Sequence, residues 1–186
     1  PSSAASDVYK RQLFETTTVE SESLVRDVQR AVLSLSRRRV GMLVVIEQRT
    51  ALGDIINTGT RLDAVISGAL IENIFEPNTP LHDGAVIVRG TRIVAAGCFL
   101  PLSDDLNLAR ELGTRHRAAL GVSTVSDSVT LVVSEETGAI SVARDGKLMR
   151  YIDAKALQDL LEGIFLQKAN TPFHWAKRRE KHEKQR

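Results

Sequence analysis

The sequence predicts a single domain of the α/β (mixed α+β) class, with a central mixed parallel/antiparallel sheet flanked by helices. Three observations predict this class. The length of 186 residues suits one domain. Short β-rich runs occur in pairs joined by turn residues, as in antiparallel hairpins. Apolar residues with helical spacing come before, between and after these pairs.

The first half of the chain predicts two helices around one buried strand. From Leu24, apolar residues recur at steps of one, three and four, which predicts a helix with one packed face. This helix ends at the basic run 37–39, because cations suit the negative end of a helix dipole. A buried strand is predicted at 42–46. A second helix is predicted over 63–75, ended by Pro77.

The second half predicts two hairpins, a further strand and a last helix. The pair Asp145 and Gly146 is a strong two-residue turn signal. Asp153 is placed to cap a helix that runs to about residue 167. The predicted strands cover residues 84–88, 92–96, 129–133, 140–143 and 148–152.

Composition excludes several classes of protein. The single cysteine, Cys98, excludes an internal disulfide and a multi-cysteine zinc site, and we expect it to be a buried small hydrophobe. No apolar stretch approaches the roughly 20 residues that cross a bilayer. The last ten residues, KRREKHEKQR, hold six basic and two acidic residues, which leaves 19 basic and 21 acidic residues elsewhere. The rest of the chain is therefore not basic, and no nucleic-acid polymer is expected as a partner.

The common nucleotide and hydrolase motifs are absent, including the GxxxxGK[ST] loop and GxGxxG after a strand. Polar residues are instead dense in three short segments. In the first, PNTPLHDGAVIV, Asp83 precedes a buried strand and Gly84 permits close backbone approach by a ligand. Asp83 suits binding a divalent cation or accepting a hydroxyl proton, and a plain Asp-Gly turn is the alternative. His82 is either a ligand or a turn residue.

The second segment is GTRHRAA, where Gly113 and Thr114 predict a helix start. Arg115, His116 and Arg117 then occupy the first helical turn. Cations there oppose the helix dipole, so the missing negative charge is expected from a bound polyanion such as a phosphate chain. Solvated arginines on a surface helix are the alternative.

The third segment, VSEETGAIS, forms the turn of the second hairpin. Hydroxyl groups such as that of Ser134 can contact phosphate, and the carboxylates of Glu135 and Glu136 can hold a metal. A plain hydrophilic turn is the alternative. Taken together, the three segments hold the minimum set of groups for phosphoryl or nucleotidyl transfer.

The segments PNTPLHDGAV, CFLPLSDD, ELGTRHRAALG and VSEETGAIS resemble the diadenylate cyclase family, most closely its membrane-associated bacterial branch. The resemblance runs from about Leu24 to Phe165. It implies an enzyme that condenses two ATP molecules into cyclic di-AMP, releases two pyrophosphates and requires Mg²⁺ or Mn²⁺. It makes residues 13–168 the cyclase domain and 169–186 a basic tail. Residues 1–12 are expected to be a remnant of cloning or sequencing.

The resemblance also implies a role for each matching residue. Asp83 would orient or deprotonate the ribose 3′-hydroxyl, and Gly84 and Ala85 would let the nucleotide lie against the strand. The triphosphate would be held by Thr114, Arg115, His116, Arg117 and Ser134. The metal environment would comprise Asp83, His82 and Glu136 or Glu135, with Glu135 also near the nucleotide. Phe99, Leu100 and Pro101 resemble the segment that contacts adenine, where family members often have tyrosine at the position of Phe99.

Product symmetry implies a homodimer, because each 3′-oxygen must attack the α-phosphorus of the other ATP and a twofold interface presents two identical sites. The resemblance further implies a cytoplasmic domain of a membrane-anchored bacterial protein, attached through a segment absent from this chain. A non-catalytic sensor of adenine nucleotides or cyclic di-AMP is the alternative function. An RNA-binding module is weakly supported, since aromatic residues make up only 4% of the chain.

Overall fold

The computed structural model describes residues 2–103 and 112–166, with side chains from residue 20 onward. The described residues form five helices and seven strands. In chain order they are α1 (Ser2–Arg38), β1 (Met42–Glu47), α2 (Gly53–Ile56), β2 (Thr60–Val65), α3 (Gly68–Ile74), β3 (Ala85–Arg89), β4 (Arg92–Cys98), α4 (Thr114–Val125), β5 (Val129–Val133), β6 (Ile140–Arg144), β7 (Lys147–Arg150) and α5 (Ala154–Phe165).

The seven strands form one sheet in the order β2-β4-β3-β1-β5-β6-β7. Strands β1 and β3 are parallel, with Val44 opposite Val86. The other neighbouring pairs are antiparallel, including both predicted hairpins. The predicted mixed sheet flanked by helices is therefore confirmed.

Helices cover both faces of this sheet, because successive side chains of a strand point to opposite faces. From β1, Met42 and Val44 enter the core under α1, α3 and α5, whereas Leu43 and Val45 enter the core under α2 and α4. The sheet is thus the middle layer of the domain, and α4 is the helix that stands over the face used below.

The predicted helix over 63–75 is wrong in its first part. Thr60–Val65 is the edge strand β2, paired with β4 and mostly exposed. Helix α3 begins only at Gly68, where the Ser67 side chain accepts a hydrogen bond from the Leu70 N–H at 3.2 Å. Ser67 is the N-cap signal that separates the two elements.

The first and last helices of the domain are α1 and α5. The backbone of α1 begins at Ser2, so this helix includes most of the segment 1–12. At the other end, Asp153 caps α5 as predicted, and its carboxylate accepts from the Ala156 N–H at 2.8 Å. The basic tail 169–186 lies outside the described residues. Within the described ranges, no helix has both the length and the apolar character to cross a membrane.

Candidate active site

A cavity of about 700 Å³ opens where the start of β3, the end of β4, the first turn of α4 and the β5–β6 turn meet. Because β1 and β3 are parallel and the pairs β3–β4, β1–β5 and β5–β6 are antiparallel, these strand ends lie at the same end of the sheet. Of the fourteen residues predicted for the site, eleven line this cavity. They are His82, Asp83, Gly84, Phe99, Leu100, Thr114, Arg115, His116, Ser134, Glu135 and Glu136.

The turn before β3 presents Asp83 to the cavity. Asp83 is exposed, and Gly84 after it has a φ of +107°, a conformation that residues with a Cβ rarely adopt. A Cβ on Gly84 would also lie 2.8 Å from the carbonyl carbon of Gly97 on β4. Glycine is therefore required here by the strand neighbour as well as by the backbone, and it keeps Asp83 at a defined point on the wall.

His82 is oriented by the turn that carries it. Its Nδ1 lies 2.6 Å from the carbonyl oxygen of Thr79. A carbonyl oxygen only accepts, so Nδ1 donates the proton and Nε2 keeps a free lone pair suited to a metal. Asp83 and Glu136 line the same cavity, but no group of three or more metal-binding side chains converges within the described ranges. These three residues share a cavity without forming a closed metal cage.

Arg115 is held against the wall by two neighbours. Its guanidinium lies over Gly41, where a Cβ would come within 2.6 Å of Nη1. Its Nη1 also donates to the Glu135 carboxylate at 2.7 Å, and its side chain is only 21% exposed. A ligand phosphate that binds Arg115 therefore has to compete with Glu135.

His116 lines the cavity but is largely buried in its wall. It is buried, and its Nε2 lies 3.2 Å from the Ser141 hydroxyl. Burial lowers the pKa of His116, and the positive charge of Arg150 lowers it further, against the opposing effect of Glu136. The lowered pKa favours the neutral imidazole, which suits a hydrogen-bonding support better than a charged phosphate ligand.

The remaining three predicted residues do not line the cavity. Ala85 is fully buried in the sheet. The carbonyl oxygen of Pro101 packs against Gly121 of α4 so closely that a Cβ at Gly121 would collide with it. Arg117 does not line the cavity, and its Nη2 donates to the Ser103 carbonyl oxygen at 3.4 Å. Their contacts with a ligand stay predictions that this geometry does not favour.

The β5–β6 turn presents Ser134 at the end of β5. Its hydroxyl accepts from the Thr137 N–H at 3.2 Å, which shapes the turn and leaves the hydroxyl proton for a ligand. The turn is anchored to α1 by Ser36, whose hydroxyl donates to the Gly138 carbonyl oxygen at 2.6 Å. The position of this turn is thus set by the opposite layer of the domain.

Sequence reasoning missed two features of the cavity. Arg150 of β7 lines it, and the signal was available in the hairpin register, since the Asp145–Gly146 turn places Arg150 opposite Ser141. Cys98 also lines it beside the 73% exposed Phe99. Burial raises the pKa of the Cys98 thiol to about 11, so this cysteine is a buried small hydrophobe, as predicted, and its place in the cavity wall is what the sequence did not indicate.

The chain is similar to proteins named as cyclic di-AMP synthases or diadenylate cyclases. Cyclic di-AMP synthase CdaA of Bacillus subtilis (strain 168) is 49% identical over 150 residues, which cover 81% of this chain and 54% of CdaA. Diadenylate cyclase of Listeria monocytogenes serotype 1/2a (strain 10403S) is 49% identical over 142 residues, which cover 76% of this chain and 52% of that protein. The chain thus spans about half the length of the curated relatives it matches.

Solved structures agree with these relatives. The crystal structure of a double mutant of DacA from Staphylococcus aureus has a TM-score of 0.76 and 49% identity, and the match covers 78% of this chain and 97% of DacA. A hypothetical membrane spanning protein from Bacillus cereus has a TM-score of 0.65 and 47% identity, over 71% of this chain and 63% of that one.

The family model that matches is described as DAC, DisA bacterial checkpoint controller nucleotide-binding, and it matches residues 29–148. This stretch begins within α1 and ends within β7, so it contains every residue that lines the cavity except Arg150. Because the match covers well over half of the chain, the chain belongs to the DAC family.

Proposed function

We propose that this domain is a diadenylate cyclase, which condenses two ATP molecules into cyclic di-AMP and releases two pyrophosphates. One observation carries the proposal: a single cavity joins the exposed Asp83 to the first turn of α4 and to the β5–β6 turn. A carboxylate that can receive a proton and a helix N-terminus that favours anions are the two parts such a reaction needs. The names of the relatives point to the same activity.

The chemical step forms one bond and breaks one at each α-phosphorus. Asp83 orients the ribose 3′-hydroxyl or takes its proton, and the 3′-oxygen attacks the α-phosphorus of the other ATP. The bond from that phosphorus to the bridging oxygen of the β-phosphate then breaks, and pyrophosphate leaves in line with the attack. Repeating the step with the two nucleotides exchanged closes the ring.

Binding would divide the cavity into an apolar and a polar side. Adenine fits the side lined by Cys98, Phe99 and Leu100, where the Phe99 ring is available for stacking. Phosphates fit the side lined by Ser134 and the first turn of α4. Gly113, the N-cap residue of α4, has no side chain to cap the free N–H groups there, which suits an anionic ligand.

Mg²⁺ or Mn²⁺ is the expected metal, and the donors available fit it. Asp83, Glu136 and Nε2 of His82 would hold it, with further oxygen ligands from the nucleotide, since protein donors alone do not converge among the described residues. When bound, the metal neutralises phosphate charge and polarises the phosphoryl group under attack.

The reaction requires two ATP molecules face to face, which a twofold homodimer supplies. Two of the cavity's lining residues are large exposed apolar side chains, Phe99 at 73% and Leu102 at 44%, and Tyr151, next in sequence to the lining residue Arg150, is 72% exposed. Such residues are expected to be covered when a second copy docks. Alignment of the two nucleotides then contributes much of the rate, up to roughly 7–11 kcal/mol for well-oriented reactants.

We also propose that the domain works on the cytoplasmic side of a bacterial membrane, attached through a segment outside these 186 residues. The similarity to a B. cereus protein named as membrane spanning supports this location.

The decisive experiment incubates the purified chain with ATP and Mn²⁺ or Mg²⁺ and detects the products by mass spectrometry. We expect cyclic di-AMP with two pyrophosphates per product molecule. The specific activity should fall on dilution in parallel with dissociation of the dimer, followed by sedimentation. A folded dimer that binds ATP and yields no product would support the non-catalytic sensor instead. A monomeric sample with full specific activity would exclude the shared-dimer mechanism.

A further inference from the structure

Arg150 differs from the other arginines near the cavity because no described residue pairs with it. Arg115 donates to Glu135, and Arg117 donates to the Ser103 carbonyl oxygen. Arg150 lines the cavity without a hydrogen bond or ion pair to any residue in the described ranges, and its guanidinium lies over the ring of Tyr151. It is therefore the cavity guanidinium that is free to bind an anion.

The register of β6 and β7 fixes the side of the sheet on which Arg150 lies. Its Cα partner is Ser141, and directly opposite residues share a face of the sheet. The Ser141 hydroxyl contacts His116 in the first turn of α4. Arg150 thus stands beside the helix N-terminus, which agrees with the effect of its charge on the pKa of His116, second to that of burial.

Tyr151 has an unusual backbone conformation, and its ring contacts the guanidinium of Arg150. The φ angle of Tyr151 is +60°, in the left-handed region that bulky residues seldom adopt. The guanidinium carbon of Arg150 lies 5.1 Å from the centroid of the Tyr151 ring, a cation–π distance. A strained residue beside a cavity is a reason to look for function there.

The strand order separates Arg150 from the adenine side of the cavity. The apolar residues Phe99 and Leu100 follow β4, and Asp83 precedes β3. Between β3 and β7 lie β1, β5 and β6, so the two strands are about 19 Å apart at the usual spacing. A nucleotide with its base against Phe99 and its sugar near Asp83 would direct its phosphate chain past Ser134 toward β7, since all these residues line one cavity.

We propose that Arg150, held over the ring of Tyr151, binds the outer phosphates of ATP, the β- and γ-phosphates that leave as pyrophosphate. This inference rests on the proposed function, because it takes ATP as the occupant of the cavity. Arg150 can form a charge-assisted hydrogen bond with a phosphate without first giving up a carboxylate partner. Arg115 can do so only after it breaks its ion pair with Glu135.

The test measures binding of α,β-methylene-ATP, which cannot react, and of AMP by calorimetry in one Mg²⁺ buffer. Arg150→Gln should weaken binding of the ATP analogue about tenfold, the loss of one charge-assisted contact, and leave AMP binding unchanged. Arg150→Lys should lose less, because it keeps the charge. Lys147→Gln is the matched control, since it removes a positive charge from the same strand outside the cavity and should bind both ligands normally.

Tyr151 gives a second and independent variant pair. Tyr151→Phe keeps the ring and should bind the analogue normally. Tyr151→Asn tolerates the left-handed backbone but removes the ring, and should weaken binding of the analogue less than Arg150→Gln does.

Two outcomes would overturn the inference: unchanged affinity of Arg150→Gln for the analogue, or an equal loss for AMP, which would move the contact to the α-phosphate or the nucleoside. Binding is measured without turnover, so the two proposals fail separately. A chain that makes no cyclic di-AMP but needs Arg150 for the analogue refutes the cyclase alone. A chain that makes it with Arg150 irrelevant to the analogue refutes this inference alone.

Discussion

On the face of the sheet covered by α1, α3 and α5, the core consists mainly of large side chains, such as Leu35, Phe75 and Leu157. On the opposite face, under α2 and α4, small residues are common. Alanine or cysteine supplies six of the 13 buried apolar residues there, but only two of 26 on the first face. The two faces therefore bury very different amounts of apolar surface per residue.

This difference suggests that one face of the sheet mainly stabilises the domain and the other mainly positions the cavity. Large buried side chains contribute most of the hydrophobic free energy, so the face under α1 stabilises the domain. Small residues let α4 approach its neighbours closely, as Gly121 does against the Pro101 carbonyl oxygen in the loop after β4, and they position the first turn of α4 beside the cavity. Substitutions on one face are consequently expected to change the free energy of unfolding, and substitutions on the other to change binding or turnover.

The largest expected effect lies at Asp83. Asp83→Asn should lower the rate of cyclic di-AMP formation by about 10²–10⁴-fold, the usual contribution of a general base. The free energy of unfolding in urea should not fall, because the side chain is exposed. In metal-free buffer, where its proposed part in metal binding does not contribute, affinity for α,β-methylene-ATP should change little. A loss of affinity as large as the loss of rate would make Asp83 a binding residue and contradict its catalytic role.

Leu35→Ala tests the other face. Leu35 is fully buried in the core under α1, so truncation should lower the free energy of unfolding by about 2–5 kcal/mol. The rate per folded molecule should match that of the unsubstituted chain at a temperature where both are folded. Urea denaturation and initial rates measure the two quantities. A lower rate in fully folded Leu35→Ala protein would show that the two faces are coupled, against the separation argued here.

The sequence predicted most of the fold where periodicity was strong. Strand β1, both hairpins and α5 follow from unbroken apolar runs, turn residues and a capping aspartate. Strand β2 was missed because an exposed edge strand of six residues shows no clear alternation, and its apolar residues also fit the start of a helix. Ser67, the N-cap residue of α3, is the sequence feature that marks the boundary between β2 and α3.

Prediction of the site was limited by geometry that motifs do not encode. Arg115, His116 and Arg117 are consecutive in a helix, and consecutive helical residues are rotated by about 100°, so all three cannot face one ligand. Arg115 lines the cavity and contacts Glu135, His116 is buried in the cavity wall against Ser141, and Arg117 contacts Ser103. Arg150 was missed because its neighbourhood depends on strand register and not on any motif.

A smaller effect is expected from His116, which lies in α4 on the face that carries the cavity. Its pKa is lowered in the folded state by burial and by the charge of Arg150, against the opposing effect of Glu136. Below the ordinary value of 6.5, the unfolded state therefore binds the proton more readily, and folding becomes less stable as the pH falls from 7 to 5. The slope from one group is at most about 1.4 kcal/mol per pH unit.

Comparison with His116→Gln isolates this contribution, because other titrating groups are common to both proteins. The free energy of unfolding, measured in urea at pH 5, 6 and 7, should fall less steeply toward acid pH in the variant. Identical slopes would contradict the lowered pKa.

The smallest expected effect concerns the ion pair between Arg115 and Glu135, which lies within the cavity itself. Glu135 is 62% exposed, so the pair contributes only about 0.2–1 kcal/mol. Glu135→Gln should release Arg115 and raise the affinity for α,β-methylene-ATP by up to about fivefold in metal-free buffer. Glu136→Gln makes the same charge change in the same turn, and we expect a smaller gain because Glu136 forms no recorded pair with Arg115. Equal gains would indicate a general charge effect, whereas a loss at Glu135 would mean that this carboxylate contacts the nucleotide directly.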